Sequence, residues 1–208
     1  MRIDKLLVNL KYGTRKEVQF MIRKERVTVN DVIVKDKGMN IDPKNDIIML
    51  DDERVYYIDN VLLMMNKPSG YVCANHDSLH ETVIDLIGPP YDRIDLKIVG
   101  RLDIDTEGLL LLTNDGQMVH SLISPKKNVY KKYLVKVKNP LKNPDKLTGN
   151  YQIKDGKNEL YTPAESFIEM IDESTFYLSI KEGKFHQVKR MVGHFRNEIT
   201  YLKRVSIG

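Results

Sequence analysis

Ile3, Leu6, Leu7 and Leu10 recur at helical spacing, and Gly13 stops the pattern. Thr14 is placed to cap a second helix, with Glu17 three residues on completing a capping box. Val18, Met21 and Ile22 then form one apolar helix face. VTVNDVIV (27–34) alternates like two short strands around an Asn30-Asp31 turn. A loop with Gly38 and Pro43 leads to the strand-like IIML. Residues 1–58 thus read as a small helix-helix-strand unit, followed by a linker at 59–60.

A second block, 61–208, opens on the strand-like run VLLMM and turns at Lys67-Pro68-Ser69-Gly70. ETVIDLIG, closed by Gly88-Pro89-Pro90, reads as a helix, and LKIVG as a strand. GQMVHSLISP has helical spacing and ends before Pro125. KKYLVKV alternates cleanly, TFYLSIKEG is a further strand, and Val188, Met191, Val192 and Phe195 mark a last helix. Strands outnumber helices and do not alternate with them regularly. The expected class is α+β, with a mixed, mostly antiparallel sheet in the second block.

Composition changes this picture little: 41% hydrophobic and 30% charged residues supply a packed core and argue against disorder. No apolar stretch approaches the ~18 residues that span a bilayer, so no membrane partner is expected. MRIDKLLVNLKYG has charges threaded through it and does not read as a signal peptide. The single Cys73 excludes an intrachain disulfide and fits a reducing cytoplasm. Charge adds more. Residues 1–26 hold eight Lys/Arg against Asp4, Glu17 and Glu25, a balance of +5, while the whole chain carries +4. The excess is therefore concentrated at one end, in Arg15, Lys16, Arg23, Lys24 and Arg26 among others, which points to a polyanion partner. The plainer reading of the same residues is a solvated helix surface.

The densest chemistry lies in GRLDIDTEG (100–108). Asp103, Asp105, Glu107 and Gly108 imitate the start of a calcium-binding loop, but the position of the closing bidentate Glu is Asn114, and LKIVGRL is no entering helix. Cys73, His76 and His80 lack a fourth zinc ligand, and Ile84 stands where HExxH needs its second His. Neither Ser69 nor Ser78 sits in G-x-S-x-G, and NKPSG lacks the phosphate-loop frame. No metal is expected. What remains is a single Asp with basic company: Arg101 and Asp103 share one face of an extended segment. Asp105 and Glu107 read as shaping the turn into GLLLLT. For Asp103, spacing leaves a reactive carboxylate and a solvated loop both open.

GRLDIDTEGLLLLTNDG resembles the hallmark motif of the pseudouridine synthases, in the branch that modifies ribosomal RNA and carries an S4 domain in front. LLMMNKPSGYVCANHD resembles that family's first motif, NVYKKYLVKV its tyrosine motif, and KEGKFHQVKRMVG its third, basic motif. RKEVQFMIRKERVTVNDVIV is similar to an S4 RNA-binding domain, and YVCAN, GRLDIDTEG and NDGQ are most similar to the small-subunit (16S) enzymes of the branch. The resemblance implies Asp103 as the catalytic aspartate, Arg101 as the side chain that fills the stack, Tyr133 against the flipped uracil, and Lys189 paired with Asp103. Lys189 stands where many members have Arg, which keeps the charge without the two-pronged fork. It also implies a cofactor-free isomerase working as a monomer on ribosomal RNA or a small-subunit assembly intermediate. A second basic surface at Lys126, Lys127, Lys131 and Lys132 would extend the RNA track of the S4 unit. A large-subunit target, a non-catalytic ribosome-assembly factor and a metal-dependent hydrolase stand as alternatives.

Overall fold

Thr14 and Glu17 close the expected capping box: the Glu17 N–H donates to the Thr14 hydroxyl at 3.4 Å, and the Thr14 N–H donates to the Glu17 carboxylate at 2.7 Å. This start fixes α2 (Arg15–Arg23), which packs beside α1 (Ile3–Asn9). The computed structural model describes residues 1–124 and 127–208. The strands β1 (Val27–Val29), β2 (Val32–Ile33), β3 (Ile48–Leu50) and β4 (Glu53–Arg54) form an antiparallel sheet in the order β2-β1-β3-β4. Asn30 and Asp31 join β1 to β2 with φ of 50° and 65°, the left-handed pair that suits a two-residue hairpin. Ile3, Leu6, Leu7, Val18, Ile22, Val27, Val29 and Ile48 meet in one core.

The chain divides into two compact units, Met1–Val61 with Asp85–Leu96, and Leu62–Ile84 with Lys97–Gly208. Asp85–Leu96 therefore packs with the first unit, although in sequence it lies inside the second block. Arg93 shows why: its guanidinium lies 4.2 Å from the centre of the Tyr12 ring and donates to the Lys11 carbonyl. The helix expected in ETVIDLIG is absent. Val72 donates to the Glu81 carbonyl and Val83 to the Val72 carbonyl, so the segment begins as an extended pairing around Val72 and Thr82. Too few residues then remain before Gly88-Pro89-Pro90 for a helix to offset its nucleation.

The second unit is built on β5 (Leu62–Lys67), β6 (Lys97–Val99), β7 (Glu107–Thr113), β8 (Lys131–Val137), β11 (Ser166–Met170), β12 (Thr175–Ile180) and β13 (Ile199–Ile207); a separate pair, β9 (Ile153–Lys154) and β10 (Leu160–Tyr161), precedes β11. The order is β11-β12-β8-β13-β7-β5, with β6 also on β7. Every pairing is antiparallel except β13 with β7, so the sheet is mixed and mostly antiparallel, as expected. KKYLVKV turns Lys131, Tyr133, Val135 and Val137 inward. The unbroken LLLL of β7 is read by its place inside the sheet, where Leu110, Leu111 and Leu112 are all buried. Two helices complete the unit, α3 (Gly116–Ile123), capped by Asp115, and α4 (Gln187–His194), which buries Val188, Met191 and Val192. Among the described residues no helix is long and apolar enough to cross a membrane.

Candidate active site

Residues 100–106 link β6 to β7, and an unexpected group holds their backbone in place. Lys67, the last residue of β5, has 0% of its surface exposed. Its ammonium donates to the carbonyls of Pro68 (3.0 Å), Asp103 (3.1 Å), Ile104 (3.2 Å) and Thr106 (2.9 Å). Burial lowers its pKa, opposed by the nearby Cys73, Asp105, Asp103 and Glu107. The Gly70 N–H adds a bond to the Ile104 carbonyl, and Thr106 donates back to Asp103. The NKPSG turn is thus a clamp on the loop that presents Asp103. Lys67→Met should cost about 3–5 kcal/mol, since carbonyls shaped around one ammonium lose their donor in a dry site. A urea-melt midpoint equal to wild type would refute the clamp.

Asp103 is partly shielded, its side chain 23% exposed. Lys189, on α4, brings its ammonium to 3.3 Å from one carboxylate oxygen, so the expected pair is present. The other oxygen faces His186 Nε2 at 3.6 Å. Lys189 also reaches Asp105, at the shorter distance of 2.5 Å. Asp105 is therefore no bystander that only shapes the turn. The turn from Asp103 to Thr106 keeps both carboxylates within reach of one ammonium. Burial opposes ionisation of Asp105, and the hydrogen bond and charge of Lys189 outweigh it, leaving its pKa below the ordinary value. Glu107 belongs to β7, and its carboxylate accepts from the Tyr201 hydroxyl at 2.8 Å.

Tyr133 points inward from β8 and is 6% exposed. Burial raises the pKa of its phenol, with Arg204 opposing and Asp103 adding to the rise. Arg204, on β13, is itself buried and donates to the carbonyls of Leu109 (2.7 Å) and Gly100 (2.9 Å). Arg101 is exposed and lines one cavity with Asp103, Tyr133, His186 and Lys189. The four residues singled out in the sequence are thus brought together. His186, Lys67 and Arg204 are additions: a lone His beside a Phe, and single basic residues in strands, carried no signal of their own.

The basic surfaces divide. Arg15, Lys16, Arg23 and Lys24 are exposed, Lys24 with its ammonium 5.6 Å from the Phe20 ring centre. Arg26 is exposed too but forms a two-pronged pair with Asp51. Lys127 is exposed, and Lys126 lies outside the described residues. Lys131 does not belong to an RNA-facing surface. It sits on the inward parity of β8, buried, and its ammonium donates to the Val129 and Lys181 carbonyls at 3.2 Å each. Lys132 pairs with Glu169 at 2.9 Å. Cys73 is buried and accepts from the Leu102 N–H, while Asp77 caps the loop holding His80; among the described residues no cluster of His, Cys, Asp or Glu is arranged to hold a metal ion.

Comparison with known proteins bears on this geometry. A family profile described as RNA pseudouridylate synthase matches residues 61–194, and one described as S4 domain matches residues 1–48. The uncharacterized RNA pseudouridine synthase YtzG of Bacillus subtilis is 42% identical, across all of this chain and 88% of its own length. Ribosomal small subunit pseudouridine synthase A of Escherichia coli is 35% identical, across all of this chain and 89% of its own. A crystal structure of a pseudouridylate synthase superposes with a TM-score of 0.65 at 34% identity, covering all of this chain and 89% of that one.

Proposed function

This chain belongs to the RNA pseudouridylate synthase family, with an S4 domain in front, and from that premise we propose that it converts one uridine of small-subunit (16S) ribosomal RNA to pseudouridine without a cofactor. The observation that carries the proposal is the placement of Asp103 against Lys189 and His186, in the cavity shared with Tyr133 and Arg101. The names of relatives 35–36% identical over the whole chain support the small-subunit target. The enzyme works as a monomer in the cytoplasm, on free RNA or on an assembly intermediate.

The reaction breaks the bond between C1′ and N1 of uracil, turns the base, joins C1′ to C5, removes the C5 proton and protonates N1. A stacked base cannot do this, so the uridine must leave the helix. The exposed Arg101 at the cavity rim fills the gap and offsets part of the unstacking cost. Tyr133 offers a ring face to the base. Its raised pKa keeps the phenol protonated near neutral pH, so it acts through its ring and its O–H rather than as a phenolate. Asp103 acts as a carboxylate whether it attacks C1′, adds at C6 or takes the C2′ proton, with the Lys189 ammonium 3.3 Å from one of its oxygens.

Release of tritium from 16S ribosomal RNA labelled at uridine C5 tests the activity, and it should proceed equally with EDTA where the RNA stays folded. Pseudouridine mapping in a strain lacking the protein should show one 16S position unmodified. A gap in the large-subunit RNA instead would overturn the target. Exposed charges of the S4 unit neutralise RNA phosphates: replacing Arg15, Lys16 and Arg23 together with Gln should weaken RNA binding at every sequence. The slope of log K against log salt should flatten by roughly 0.7–0.9 for each phosphate that is no longer neutralised, as titrations at several salt concentrations would measure.

A further inference from the structure

Lys189 is closer to Asp105 than to Asp103, at 2.5 Å against 3.3 Å. One ammonium is thus shared by two carboxylates. The other Asp103 oxygen faces His186, whose Nε2 lies 3.6 Å away. His186 is held for this place. It occupies the position just before α4 in the left-handed region (φ 53°, ψ 30°), uncommon for a residue with a side chain, yet its ring makes no capping bond to the helix. The ring instead stacks on Phe185 with centroids 3.7 Å apart, and it lines both cavities that flank Asp103.

We infer that His186 is a positioning residue whose ring holds the Asp103 carboxylate in its working orientation while Asp105 draws Lys189 partly away. The inference rests on Asp103 as the reacting carboxylate. The charged groups around the imidazole are Arg101, Asp103 and Asp105 on the preceding loop, Asp77 across the cavity, Lys184 on its own segment, and Lys189 and Arg190 on α4.

Single-turnover tritium release by His186→Gln should be slower than wild type by about 10- to 100-fold, the scale of a misplaced reacting group, with RNA affinity unchanged. Adding Asp105→Asn to His186→Gln should restore much of the rate, because Lys189 is then free to serve Asp103 alone. A wild-type rate in His186→Gln, or no rescue by Asp105→Asn, would each overturn the inference. If His186→Gln does not fold, His186→Asn tolerates the left-handed backbone and carries the same comparison. Activity in Asp103→Asn would instead remove the underlying reading. An inactive Asp103→Asn beside a fully active His186→Gln would remove this inference alone.

Discussion

Asp103→Asn should abolish turnover, lowering single-turnover tritium release by roughly 10⁴-fold or more, as expected when the group that reacts is removed. The substitution keeps shape and volume and deletes only the charge. The backbone carbonyl of Asp103 would still accept from Lys67, so the loop has no reason to move. Lys189 would keep Asp105 as its partner at 2.5 Å, and no orphaned ammonium would destabilise the fold. RNA affinity and thermal stability should therefore match wild type, which separates loss of chemistry from loss of structure. Filter binding and a melting curve on the same preparation make that separation. Turnover within tenfold of wild type would end the assignment of Asp103 as the reacting group.

Gly108→Ala should produce the largest loss of stability. Gly108 has φ +105°, a region that side chains resist, and a Cβ built there would lie 2.1 Å from the Arg204 carbonyl oxygen and 2.8 Å from the Arg204 nitrogen. Both atoms are backbone, so no rotamer relieves the overlap. The residue sits where β13 pairs in parallel with β7, Arg204 opposite Gly108. Forcing the strands apart would also disturb the Arg204 bonds to Leu109 and Gly100 beneath Tyr133. Strain and clash together should exceed about 4 kcal/mol, a large part of the ~5–15 kcal/mol that holds a typical domain. At this chain length that corresponds to a melting temperature lower by about 8–16 °C. Gly193→Ala is the opposite case: it lies exposed in α4 with nothing within 4 Å of its Cβ, and should add roughly 0.5–1 kcal/mol. Differential scanning calorimetry of both variants reads the two signs. A Gly108→Ala protein melting like wild type would show that β7 and β13 can separate freely.

What could be read without coordinates was local or repetitive. The Thr14–Glu17 box, the Asn30-Asp31 turn and the alternation of KKYLVKV each depend on residues a few positions apart, and each stands in the fold. The ordered motifs likewise named Arg101, Asp103, Tyr133 and Lys189, which meet in one cavity. The errors share a cause. Lys131 reads as a surface charge, yet the strand's parity turns it inward to carbonyls, one of them 50 positions away. ETVIDLIG carries helical spacing, but pairing with Val72 and the packing of Asp85–Leu96 in the first unit override it.

Lys67, Arg204 and the sharing of Lys189 lie further out of reach: their partners are 36–39, 95–104 and 84 positions away. A pattern of polar and apolar residues records how often the chain faces inward, but not which distant carbonyl or carboxylate awaits a charge there. The sequence by itself therefore determined the class, the S4 unit and the motif that carries Asp103. The tertiary structure decided which cations are buried, which acids share an ammonium, and where the His186 ring stands, because each depends on strands and loops closing over long separations.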